Sequence, residues 1–76
     1  MKGAQITLST GTVITLGLRG NALVAHATGK TQAENKGAII ERPVNIEDLA
    51  GQLGLVWANM TQADVATLTN AVGAAA

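Results

Sequence analysis

Apolar and polar residues alternate through the start of the chain. Residues 4–9 read Ala-Gln-Ile-Thr-Leu-Ser and put Ile6 and Leu8 on one face, and residues 13–18 read Val-Ile-Thr-Leu-Gly-Leu and put Ile14, Leu16 and Leu18 on one face. A period of two marks half-buried strands. Thr10, Gly11 and Thr12 lie between the runs, a short glycine-containing connection of the kind that closes a β-hairpin. Arg19-Gly20-Asn21 supplies a second turn, and Ala22-Leu23-Val24-Ala25-His26-Ala27 reads as a third strand, although its Ala and Leu also suit a helix. The polar, glycine-bounded stretch TGKTQAENKG at 28–37 predicts a long mobile loop, and the β-branched Ala38-Ile39-Ile40-Glu41-Arg42 a fourth strand.

At Pro43 the ladder must stop, because proline lacks an amide donor and restricts the residue before it. The period then changes. Ile46, Leu49, Ala50 and Leu53 fall at helical spacing, with Asn45 placed to cap the start and Gly54 to end it. A second stripe, Val65, Leu68 and Val72, follows Thr61, whose spacing from Asp64 matches a capping box with Asp in place of Glu. Gly73-Ala74-Ala75-Ala76 reads as a frayed end. The pattern predicts an α+β fold: a small antiparallel β-sheet, with an N-terminal hairpin and three to four strands, followed by two short C-terminal helices. Residues 1–76 form a single domain, β-rich over 1–42 and helical over 43–76, without internal repeats.

At 76 residues only about 60% of the unfolded chain's surface can be buried, so the core is thin. Small chains add disulfides, a metal or a partner; with no cysteine and one histidine, association is the support that remains. Apolar residues make up 47% of the chain, aromatic ones 1% and charged ones 13%, with no net charge. The surface is therefore covered by Thr, Asn, Gln, Gly and Ala, as in subunits that bury much of it against copies of themselves and as in a small, weakly soluble monomer. No run approaches the roughly 18 apolar residues of a membrane span, and the N-terminus lacks the plan of a signal peptide. The expectation is an intracellular or virion-borne protein.

Charge is uneven along the chain. Lys2, Arg19, Lys30, Lys36 and Arg42 face only Glu34 and Glu41 in the first 42 residues, a balance of +3, whereas the rest carries Glu47, Asp48 and Asp64 and no basic residue, a balance of −3. Such asymmetry can fold one half onto the other or align subunits.

Candidate chemistry is sparse. Gly29-Lys30-Thr31 matches the end of a phosphate-binding loop, but the first glycine of that motif would fall at Val24, and backbone amides cannot cradle phosphate around a branched side chain. His26 has no nucleophile, orienting group or further ligand at strand or helix spacing. Glu47-Asp48 sits where carboxylates favour a helix dipole. No catalytic residue, cofactor, metal or small-molecule substrate is predicted.

Leu49-Ala50, Leu53-Gly54-Leu55 and Met60 resemble the helix-turn-helix pattern of DNA-binding regulators. The segment that would read DNA, residues 57–62, carries no Arg or Lys and lies in the acidic half, which disfavours nucleic acid because phosphate contacts supply most of the affinity. Residues 7–16 are similar to the first hairpin of ubiquitin-like proteins, without their following helix or C-terminal Gly-Gly. Residues 38–44 resemble swapped-hairpin antitoxins, without their basic loop. Composition alone resembles small bacteriophage virion or decoration proteins.

Trp57, the sole aromatic residue, reads as a core plug between helices or as an anchor in a partner. The reading is a non-enzymatic association module, a small structural or accessory subunit that binds itself as a homo-oligomer, a larger protein, or both. Its candidate contacts are Trp57, Lys30, Lys36 and Arg42. The alternative is a phage-type regulator or inhibitor that binds a host protein, or DNA through its C-terminal half.

Overall fold

The computed structural model of the chain describes residues 4–41 and 43–75. Strands β1 (Ala4–Thr7), β2 (Val13–Arg19), β3 (Ala22–Thr28) and β4 (Lys36–Glu41) form one antiparallel sheet in chain order. Helices α1 (Ile46–Leu53), α2 (Leu55–Ala58) and α3 (Gln62–Ala75) follow. The α+β fold is as the pattern predicts, with four strands and with three helices where two were expected.

Turn chemistry sets the register. Gly11 N–H donates to the Leu8 carbonyl at 2.9 Å and Leu8 N–H to the Thr12 carbonyl at 2.8 Å. Gly11 takes φ 91°, so the connection is a β-turn followed by a residue in the left-handed region, a common three-residue hairpin loop. Gly20 and Asn21 alone join β2 to β3, since Arg19 pairs with Ala22. Gly20 has φ 60°, the conformation that a two-residue loop asks of its first position when the strands twist to the right.

The predicted strand faces are the buried ones. Ile6, Leu8, Ile14, Leu16, Leu23, Ala25, Ala27, Ala38 and Ile40 form the inner side of the sheet, and Leu49, Leu53, Val56, Leu68 and Val72 come down on it from the helices. Ala25, Ala27 and Ala38 add little volume. The large side chains Ile14, Leu16, Leu23, Leu49, Leu53 and Leu68 are fully buried and carry the core, each worth about 1.5–3 kcal/mol of removal from water.

Both predicted caps form. Asn45 Oδ1 accepts from Glu47 N–H at 2.8 Å, and α1 ends at Gly54 with φ 56°. Asp64 N–H donates to Thr61 Oγ1 at 3.1 Å while Thr61 N–H donates to Asp64 Oδ2 at 3.3 Å, the reciprocal bonding of a capping box.

Three expectations change. The polar stretch 28–37 is not one long loop: β3 runs through Thr28, β4 begins at Lys36, and a 3₁₀ turn, Gln32–Glu34, lies between them. Trp57 stands inside α2 rather than in a linker. Helix α3 continues through Gly73 to Ala75, because Leu68 and Val72 anchor its last turns to the core and offset the roughly 1 kcal/mol that a helical glycine costs. No described helix is long and apolar enough to cross a membrane.

Candidate functional site

With the helices on the inner face, the alternation of each strand places Gln5, Thr7, Val13, Thr15, Gly17, Arg19, Ala22, Val24, His26, Thr28, Gly37, Ile39 and Glu41 on the other. Most of these side chains are exposed. The register arranges them in rows across β2, β3 and β4: Arg19, Ala22 and Glu41; then Gly17, Val24 and Ile39; then Thr15, His26 and Gly37. Ile39 is 60% exposed beside the half-buried Val24. A β-carbon at Gly37 would meet nothing within 4 Å, so this face is open above it. His26 lies here too, with Nδ1 3.4 Å from Thr28 Oγ1.

The free edge of β4 is closed at its middle. Ile39 N–H donates to Gln52 Oε1 at 3.0 Å, and Gln52 Nε2 donates back to the Ile39 carbonyl at 3.2 Å. The Gln52 amide from α1 thus takes the pair of bonds that another strand would make, which opposes extension of the sheet edge to edge.

The phosphate-loop lookalike is occupied by the chain itself. Glu34 accepts from Thr12 Oγ1 at 2.9 Å, from Lys30 N–H at 3.4 Å and from Thr31 Oγ1 at 3.3 Å. Gly29 is needed because a β-carbon there would collide with the Glu34 side chain, and Gly29 N–H donates to Asn35 Oδ1 at 2.9 Å. Glu34, Thr10, Thr12, Val56 and Asn59 line a cleft of about 170 Å³, with the carboxylate already held by donors of its own chain. Among the described residues no three His, Cys, Asp or Glu side chains gather as metal ligands would.

Asp64 ties the two halves together. Besides capping α3, its carboxylate accepts from Ser9 Oγ at 2.7 Å and from Ser9 N–H at 3.2 Å. The Ser9 hydroxyl bond is the main cause that holds its pKa below the ordinary carboxylate value; burial opposes this, and bonds from the Thr61 and Ser9 amides and the Thr61 hydroxyl reinforce it.

Three of the four predicted contact residues lie among the described residues. Trp57 is half-buried and packs against the core from the helical layer, Lys30 is exposed in the β3–β4 connection, and Lys36 is half-buried at an inner-face position opposite Ala27. Arg42 lies outside the described residues. The DNA-reading segment expected over 57–62 is no continuous helix, since α2 ends at Ala58 and α3 begins at Gln62. The outer sheet face holds none of the contact residues expected from the sequence that lie among the described residues. Its signal was Val24 and Ile39, apolar residues at positions where the strand alternation calls for polar ones.

No protein-family profile matches the chain, and no characterised protein or solved structure matches it.

Proposed function

We propose that the chain is a non-enzymatic subunit that self-associates through the outer face of its sheet, as a small structural or accessory component of a larger assembly such as a phage virion. The observation that carries this reading is Ile39, a large apolar side chain 60% exposed next to Val24 on a face that no described helix covers. A sheet commonly buries one face and wets the other, and the wetted face is then polar; here its centre is apolar and glycine-bearing. The chemistry found elsewhere supports the same reading, because Glu34 and Asp64 are engaged in holding turns and caps.

The test is the mass of the purified chain by light scattering over about 10 µM to about 1 mM, a range that covers weak transient interfaces. Concentration-dependent oligomers that Ile39→Lys abolishes support the reading. A monomer throughout that range overturns it.

A further inference from the structure

Resting on that reading, we infer that the partner is a second copy of this chain, stacked face to face about a two-fold axis that runs along β3. A two-fold contact must be self-complementary, and the outer face meets that condition in one register. With the axis along β3, each β2 faces the β4 of the second copy, and every row of side chains faces itself in reverse order.

In the first row this sets Arg19 against Glu41 of the second copy and Glu41 against its Arg19. Arg19 is the only Lys or Arg and Glu41 the only Asp or Glu of the outer face among the described residues, so this row forms two opposite-charge contacts and no like-charge contact. In the second row Ile39 stands over the position of Gly17, and in the third Thr15 stands over Gly37. Gly37, exposed and with open space above it, receives Thr15 as interdigitated sheets require at a spacing of about 10 Å, while Ile39 lies over the buried Gly17. Ala22, Val24 and His26 each meet their own copy on the axis, and Val24 supplies the apolar centre.

Other associations are disfavoured. The Gln52 amide blocks strand addition at the middle of β4, which leaves the face rather than that edge. A two-fold axis across the strands would set the charged row against the opposite end of the second sheet, where Thr28 and Val13 stand, and leave both charges unpaired. Three overlapping strands about 4.8 Å apart and about six residues long at about 3.4 Å each make a small interface, at the low end for specific complexes, so the dimer is weak.

The experiment uses Arg19→Glu and Glu41→Arg, separately and mixed, with sedimentation velocity as readout and circular dichroism to confirm folding. Each variant alone sets two like-charge pairs across the axis, and its self-association falls at least about tenfold. Mixed in equal amounts, the two form a heterodimer in which both contacts are again of opposite sign, and the wild-type affinity returns. A pairing within one chain could not produce that rescue. Gly37→Val serves as a second probe: its side chain has open space in the monomer, so the fold stands while interdigitation is blocked and dimer is lost. A wild-type dimer with single variants at wild-type affinity, or no gain on mixing, overturns this register and leaves self-association standing. A wild-type monomer removes both.

Discussion

Ser9 and Asp64 stand 55 positions apart and are joined by a 2.7 Å hydrogen bond from Ser9 Oγ to Asp64 Oδ2. The same carboxylate caps α3 through Thr61, so one side chain starts the last helix and pins the first hairpin to it. Because these bonds favour the charged form, with the Ser9 hydroxyl foremost, the folded pKa lies below the unfolded one. The stability this contributes is complete above the unfolded value, about 3.9, and is lost as pH falls through the folded value. Urea denaturation of wild type and Asp64→Asn should therefore differ most near about pH 7, with the gap narrowing as pH falls below the unfolded value of about 3.9. A gap that stays constant with pH refutes the linkage.

Thr61→Ala removes the hydroxyl that accepts from Asp64 N–H. Loss of an N-cap costs about 1 kcal/mol, so the midpoint of chemical denaturation falls by that amount divided by the slope, which is unchanged. An unchanged midpoint shows that the cap adds nothing to α3.

Gly29→Ala forces a β-carbon into the Glu34 side chain. Crowding of this kind costs about 1–3 kcal/mol, and combining it with Glu34→Gly, which also removes the β-carbon that is met, recovers part of the loss, because the clash and the bonds to Thr12, Lys30 and Thr31 involve one side chain. A double-mutant cycle measures the coupling; strictly additive costs refute the role given to Gly29.

Gln52→Ala opens the middle of the β4 edge. Loss of its two bonds to Ile39 lowers stability by about 1 kcal/mol, and the Ile39 amide, no longer protected, exchanges with solvent faster while its neighbours Ala38 and Ile40 keep their rates. Hydrogen exchange resolved by residue checks this, and an unaltered Ile39 rate contradicts it.

Trp57→Ala distinguishes core from interface. Trp57 packs against the core from the helical layer, on the side of the sheet away from the outer face, so its loss costs about 2 kcal/mol of folding stability and leaves the association constant unchanged. A fall in association at full stability returns Trp57 to the interface.

Much of the fold was legible because its signals are local. Ile6, Leu8, Ile14, Leu16 and Leu18 share a face through strand geometry alone, and Asn45, Gly54, Thr61 and Asp64 mark helix ends through bonds within four residues of one another. The stretch 28–37 misled because its polar side chains bond to its own backbone and hydroxyls rather than to solvent, through Asn35 and Glu34, and because Thr12, 22 positions from Glu34, adds a bond that no local pattern contains. The last turns of α3 misled likewise: Gly73 and the alanines suggest fraying, and the contacts of Leu68 and Val72 with the core prevent it.

The candidate site was the least legible part. The sequence offers Lys30, Lys36 and Trp57 by residue type alone, and the structure places them in the β3–β4 connection, at the start of β4 on the inner face and in α2. The outer face existed in the sequence only as single residues, Arg19, Val24, Ile39 and Glu41, with nothing to place them side by side.

By itself the sequence determined the α+β class, the inward strand residues, the capped helix starts and the want of a glycine at Val24 that a phosphate loop requires. These follow from periodicity and from the bonding capacity of single residues, which act over a few positions. Only the tertiary structure decided that Gly29, Lys30 and Thr31 wrap Glu34, that Asp64 reaches Ser9, that Gln52 closes the β4 edge, and that Arg19 and Glu41 end one row across three strands. Those relations depend on strand register and on which face the helices cover, and both are set by packing the whole chain at once.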